Sequence, residues 1–279
     1  MHLSRRSLIG ATVISLFLSL PTFAISSEHG PTAIVGAMPE EVGMFREQMA
    51  GLKLVKVTGL TFWTGKIKGH RVVLTRCGIG KVNAAMTTTV LIEQFHPSAL
   101  VFSGIAGGIN DKLGPGDIVI GDKTVQHDFG FLSPEGLKPG PTENPSTGKN
   151  NPLYFAADPA LLKAAKAAVQ DVHLQKVQTG RGIRTPRITH GVIVTGDQFI
   201  ASSTKKNDLR STFNADATEM EGASIAQVCL IQRVPCLIIR SLSDNADESA
   251  QTDLAKLFHV AAINSSHLVI AMLNRMKGM

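Results

Sequence analysis

Thr218-Glu219-Met220-Glu221-Gly222-Ala223 and, further along, Arg240-Ser241-Leu242-Ser243-Asp244-Asn245 set carboxylates at the borders of apolar runs. The first segment opens a helical pattern over 223–232. The second ends the most apolar strand-like run in the chain, Pro235-Cys236-Leu237-Ile238-Ile239. A carboxylate at the end of a buried strand is costly to desolvate unless it is paired or used. In open α/β sheets, ligands sit at the carboxyl ends of strands. The two segments therefore read as parts of one site on an α/β sheet.

Working outward, strands and helices alternate along the chain, which predicts a single three-layer αβα domain rather than two domains. Thr32-Ala33-Ile34-Val35-Gly36-Ala37-Met38 reads as a buried first strand. Pro39 then opens a helix over 40–49, with Glu40 and Glu41 in the first turn, where the helix dipole favours acids. Strands are expected around 54–66 and 71–77, joined by a turn at Lys68-Gly69-His70. The glycine turn Gly78-Ile79-Gly80-Lys81 leads into a helix over 82–95 that stops at Pro97. Ala99-Leu100-Val101-Phe102-Ser103 is a further buried strand, expected to end in the loop Gly104-Ile105-Ala106-Gly107-Gly108. Such a loop is either a sharp turn or a place where backbone amides approach a ligand. Further strands are expected over 117–122 and 190–195, the latter ending in the polar turn Gly196-Asp197-Gln198-Phe199-Ile200. Residues 129–154, rich in Gly, Pro and Asn, read as a long loop. Helices follow from the patterns over 159–172, 203–213 and 254–276.

Composition limits the function classes. Apolar residues make up 43% of the chain and aromatics 5%, so the core is aliphatic. The formal charge is +6, but basic residues are scattered, apart from Arg181, Arg184 and Arg187. With few aromatics between them, they do not suggest a nucleic-acid surface. Cys77, Cys229 and Cys236 lie in apolar surroundings and read as buried free thiols. Their spacing fits neither a disulfide framework nor a metal site. No Walker lysine motif, complete dinucleotide fingerprint or Gly-x-Ser-x-Gly elbow is present. Residues 1–24 read as an export signal. Arg5-Arg6 precede an apolar stretch over 8–20, and Thr22-Phe23-Ala24 resembles a cleavage site. Ser4-Arg5-Arg6-Ser7 fits a twin-arginine signal as well as an ordinary secretory one. The mature chain, 25–279, is then expected to be periplasmic, with no membrane association.

Four ordered pieces carry a resemblance: Ile34-Val35-Gly36-Ala37-Met38-Pro39-Glu40-Glu41, Cys77-Gly78-Ile79-Gly80-Lys81-Val82-Asn83-Ala84-Ala85, Gly196-Asp197-Gln198-Phe199-Ile200, and Glu219-Met220-Glu221 with Ser243-Asp244. Together they resemble the 5′-methylthioadenosine/S-adenosylhomocysteine nucleosidases of the purine nucleoside phosphorylase superfamily. The resemblance implies hydrolysis of an adenine N-glycosidic bond, a twisted mixed central sheet, a homodimer and a nucleoside substrate; no cofactor is expected, and no spacing of His, Asp and Glu suggests a metal. It also implies roles for individual residues. Glu41 would activate water and Asp244, positioned by Ser243, would protonate purine N7. Glu221 would hold the ribose hydroxyls, with Met220 packed on the sugar. Phe199 would stack on the purine and Ile200 would bind it through its backbone. Ile105 stands where some members carry a serine, near the sugar. Glu219 is either a partner behind the site or a helix-start acid, and Arg240 is a further candidate behind the site.

The chemistry of these residue types agrees. Glycosidic cleavage passes through an oxocarbenium-like sugar. The departing adenine needs a proton from an acid kept protonated by a desolvated site, and Asp244 ends an apolar strand. A second carboxylate must take a proton from water, and Glu41 follows another buried strand. Taken singly, Glu41, Glu219, Glu221 and Asp244 would be ordinary helix-start, cap or turn acids, and Phe199 a core residue. Two other activities share the same expected fold. A phosphorylase would need basic groups for phosphate; the segment from Met38 to Glu41 has none, whereas Arg76 is one. A non-catalytic nucleoside-binding protein would not need these carboxylates.

Overall fold

The computed structural model describes residues 30–179 and 182–276. The expected signal, 1–24, lies outside them, as do Gly180 and Arg181. The elements run β1 (Thr32–Gly36), α1 (Pro39–Glu47), β2 (Ala50–Val57), β3 (Leu60–Ile67), β4 (His70–Arg76), α2 (Lys81–Phe95), β5 (Ala99–Gly108), β6 (Ile118–Gln126), β7 (Gly130–Ser133), β8 (Gly136–Pro139), β9 (Phe155–Ala156), α3 (Pro159–Ala168), β10 (Val177–Thr179), β11 (Gly182–Arg184), β12 (Ile188–Thr195), α4 (Ser203–Phe213), β13 (Ala217–Glu219), α5 (Gly222–Gln232), β14 (Cys236–Asp244) and α6 (Ala250–Arg275).

The main sheet is mixed, in the order β13-β12-β6-β14-β5-β1-β4-β3-β2. The apolar runs of β1, β5 and β14 lie parallel at its centre, where both faces are covered. Helices α1, α3 and α6 cover one face, where Phe45, Leu161 and Met272 pack among the strand side chains. Helices α2 and α5 cover the other, with Leu91, Ile225 and Cys229 inside. Each fully buried Leu, Ile, Phe or Met among them contributes roughly 1.5–3 kcal/mol. Local chemistry sets the helix ends. Asp158 caps α3 by accepting from the Ala160 and Leu161 amides, and Pro159 follows it. Helix α2 ends at His96 in the left-handed conformation, just before Pro97. Helix α6 is long and apolar enough to cross a membrane, but Leu268, Val269, Met272 and Leu273 on it are completely buried in the core.

Several local expectations are corrected. The strand expected over 54–66 is two strands, split at Thr58-Gly59, both with positive φ (48° and 84°) as a tight hairpin turn requires. The glycine segment 104–108 is not a loop but the continuation of β5. Its Gly107 and Gly108 pair antiparallel with β13, so the sheet curls and β5, β14, β6, β12 and β13 close a ring. Arg240 to Ser243 lie inside β14 rather than beyond its end. The expected 129–154 loop contains the β7–β8 hairpin. Arg184 and Arg187 do not form a free basic loop, because both face the buried Asp117 carboxylate. Cys77 and Cys229 are buried free thiols, as expected, and Cys236 is half-buried.

Candidate active site

The carboxyl ends of β1, β5, β13 and β14 converge on a cavity of about 130 Å³. Glu41, Ile105, Phe199, Glu219, Met220, Glu221, Ser243 and Asp244 line it. Two expected site residues do not. The Ile200 side chain is buried with Val194, Leu209 and Phe213, which leaves only its backbone for a ligand. Arg240 lies behind the carboxylates, fully buried. Larger grooves of 680 and 900 Å³ exist elsewhere, but neither gathers buried carboxylates.

Glu41 occupies the third position of α1. Its Oε2 accepts from the Ala37 and Met38 amides at 2.6 and 2.9 Å, and its Oε1 accepts from Ile105 N–H at 2.9 Å. The same residue therefore closes the start of the helix and faces the cavity. Burial pushes its carboxyl above the usual range, against the pull of Arg240 and the three amides.

Glu221 is the N-cap residue of α5, yet its side chain does not cap the helix. Oε1 instead accepts Gly80 N–H at 2.8 Å, and Oε2 lies 3.2 Å from Arg240 Nη2. Each oxygen retains a further lone pair for a ligand hydroxyl. Burial, reinforced by Glu219, pushes Glu221 up to about 8. Glu219 does the capping. It accepts from the Glu221 and Gly222 amides at 2.8–3.0 Å, from the Thr195 hydroxyl and from Arg240. Glu219 is thus both helix-start acid and partner of Arg240, at the inner wall of the cavity.

Arg240 ties this group together. Its Nη2 serves Glu219 and Glu221, its Nη1 stands 3.6 Å from Glu41, and its guanidinium lies 3.7 Å from the Phe102 ring centroid. Burial raises Glu41 and Glu221 more than this one cation lowers them, and at Glu221 the neighbouring Glu219 charge adds to the rise. A Cβ at Gly104 would collide with both the Arg240 guanidinium and the Glu41 carboxylate, so glycine is required there for space.

Asp244 is set by a bulge. The β14–β5 register slips between Leu242 and Asp244, a device that re-aims side chains beside sites. Its Oδ2 accepts from the Ser243 hydroxyl and its Oδ1 from Ala246 N–H, both at 2.8 Å. Burial pushes it up to about 6 against these hydrogen bonds, so a fraction of it remains a carboxylic acid close to neutral pH.

The remaining wall is apolar: Met38, Ile79, Ile105, Phe199 and Leu254. Among the described residues lining the cavity, none is basic. No sequence pattern marks Ile79 or Leu254 as cavity residues. Ile79 sits in a glycine turn, and Leu254 read only as a helix residue packed on the sheet.

Comparison with known proteins shows what this arrangement is similar to. Residues 31–274 match the profile of the phosphorylase superfamily. A 5′-methylthioadenosine/S-adenosylhomocysteine nucleosidase of Mycobacterium tuberculosis is 36% identical over 243 residues, 86% of this chain and 95% of the relative. An aminodeoxyfutalosine nucleosidase of Campylobacter jejuni is 34% identical, covering 88% of this chain and 98% of the relative. The crystal structure of a 5′-methylthioadenosine/S-adenosylhomocysteine nucleosidase from Neisseria meningitidis, in complex with methylthio-immucillin-A, superposes with a TM-score of 0.75 at 34% identity. That match covers 88% of this chain and all of the other.

Proposed function

Because this chain belongs to the phosphorylase superfamily, and within it to the 5′-methylthioadenosine/S-adenosylhomocysteine nucleosidases, we propose that it hydrolyses the N-glycosidic bond of adenine 5′-thionucleosides and releases adenine. The observation that carries this reading is the meeting of Glu41, Glu221 and Asp244 in one cavity with no basic lining. Asp244, its proton affinity raised by burial and its carboxyl oriented by Ser243, donates to purine N7 as the bond breaks. Glu221 accepts the ribose hydroxyls through the lone pairs that Gly80 and Arg240 leave free. Glu41 takes the proton of the attacking water. Phe199 stacks on the base, the Ile200 backbone binds it, and Met220 packs on the sugar. The apolar wall of Met38, Ile79, Ile105 and Leu254 suits a thioether at the 5′ carbon better than a hydroxyl.

A phosphorylase is disfavoured, because the guanidinium beside the site, that of Arg240, already serves three carboxylates, which would also repel phosphate. A non-catalytic binding protein gains nothing from a desolvated acid that costs stability. The test is a nucleoside panel of methylthioadenosine, S-adenosylhomocysteine, aminodeoxyfutalosine and adenosine, with and without phosphate, followed by chromatography of free base. Adenine released from the thionucleosides without phosphate supports the reading, and release only with phosphate removes it.

The protein is further proposed to act as a homodimer. In support, Val82 and Met86, one turn apart on α2, are 78% and 49% exposed, and Phe131 and Leu132 on β7 are 70% and 74% exposed. Adjacent exposed apolar side chains such as these two pairs suit an association surface, and sedimentation of the mature chain tests this. Export to the periplasm is proposed from Arg5-Arg6, the apolar 8–20 stretch and Thr22-Phe23-Ala24. A mature protein beginning at Ile25 is the expected result of N-terminal sequencing.

A further inference from the structure

Outside the cavity, three charged residues from three distant segments close a ring. Lys81, the first residue of α2, extends its ammonium to Asp128 Oδ1 at 2.6 Å and to Gln126 Oε1 at 3.2 Å. Asp128 Oδ2 accepts the Asp197 backbone N–H at 2.8 Å. Asp197 Oδ1 in turn accepts the Lys81 backbone N–H at 2.8 Å. The Lys81 and Asp128 side chains are only 17% and 18% exposed, so the pair is poorly screened. Burial alone would raise Asp128, yet the bonds from Lys81 and Asp197 outweigh it and hold its carboxyl below the usual range.

This ring sits between two segments of the site without lining the cavity itself. On one side, Gly80 donates its N–H to Glu221. Gly80 has φ 96°, and a Cβ there would come within 3.2 Å of Asp197 Oδ1. Glycine thus lets the amide face Glu221 while the next amide, that of Lys81, faces Asp197. On the other side, Asp197 lies two residues before Phe199 and three before Ile200. The His127 ring fills the space that a Cβ at Gly196 would need, so the loop is also held from beneath.

We propose that Lys81 and Asp128 are positioning residues that clasp the Asp197–Ile200 loop to the Gly78–Lys81 turn, holding the base-binding loop in register with the ribose-binding Glu221. The assignment of base and ribose to these segments rests on the nucleosidase reading. The clasp touches neither Asp244 nor Glu41, so it governs how tightly the base is held and not the proton transfers.

The experiment compares wild type, Lys81→Met, Lys81→Arg and Asp128→Asn. It measures kcat and KM for methylthioadenosine hydrolysis across pH, and adenine affinity by calorimetry. Lys81→Met is expected to raise KM and weaken adenine binding about tenfold, as loss of a charge-assisted bond does. Its kcat stays within about twofold and its pH profile is unchanged. Lys81→Arg recovers most of the affinity. Asp128→Asn keeps an acceptor for Asp197 N–H but loses the charge, and gives an intermediate loss; it also serves where Lys81→Met does not fold. Unchanged KM and adenine affinity in both Lys81→Met and Asp128→Asn overturn the clasp, as does a fall in kcat at constant KM. A wild type that releases no adenine overturns the nucleosidase reading instead, and adenine calorimetry still tests the clasp.

Discussion

Arg240 Nη1 stands 3.6 Å from Glu41 Oε1, with both side chains 1% exposed. One end of this pair comes from the first helix and the other from the last strand, so elements far apart in the chain are tied together behind the cavity wall. The same guanidinium serves Glu219 and Glu221. Arg240→Gln therefore leaves buried carboxylates without their cation and is expected to cost about 3–5 kcal/mol of stability, read by denaturant unfolding. Arg240→Lys does not restore it, because an ammonium lacks the fork that reaches several carboxylates at once. A loss under about 1 kcal/mol in Arg240→Gln would refute the ion-pair role.

Asp244→Asn keeps the acceptor for the Ser243 hydroxyl but has no carboxylic proton. Its kcat is expected to fall by about 10²–10⁴-fold with KM within a few-fold, measured on the thionucleoside that wild type cleaves best. Near-wild-type turnover would remove Asp244 as the acid.

The wild-type pH dependence follows from the same group. Asp244 is pushed up to about 6, and the proposed acid role needs its protonated form. The kcat/KM profile, which reports the free enzyme, is expected to decline on the alkaline side of about pH 6. Asp244→Asn, with residual activity, should lack that limb. A decline that survives unchanged in the variant would assign it to another group.

Glu221 links pH to stability. Its folded-state value of about 8 lies above the ordinary 4.5, so the folded protein binds the proton more tightly than the unfolded chain. Wild type therefore loses stability from this group as pH rises from 4.5 through about 8. Glu221→Gln cannot ionise. Its melting temperature relative to wild type is expected to climb across that window and level off above it. A difference that stays constant with pH would show that Glu221 is not perturbed.

Much of this was legible in the chain itself. The aliphatic runs at 32–36, 99–103 and 235–239 identified the central strands, because only a strand covered on both faces tolerates such continuity. Asp244 was legible as a desolvated acid because it closes one of those runs. What escaped were relationships between distant residues. No local pattern shows that Gly80 N–H binds Glu221, 141 positions away, or that Ile105 N–H binds Glu41. The glycines at 104–108 suggested a loop by composition. They are a strand because Gly104 leaves room for Arg240 and Glu41, and Gly107 and Gly108 pair with β13. Leu254 was hidden in an amphipathic helix pattern that core packing alone explains.

In the proposed reaction, water activated at Glu41 attacks the sugar as adenine leaves protonated by Asp244. The most direct measurement is turnover of methylthioadenosine in heavy-oxygen water containing phosphate, with mass analysis of the released sugar. One heavy oxygen in a free thioribose is the predicted result. An unlabelled thioribose 1-phosphate would contradict it.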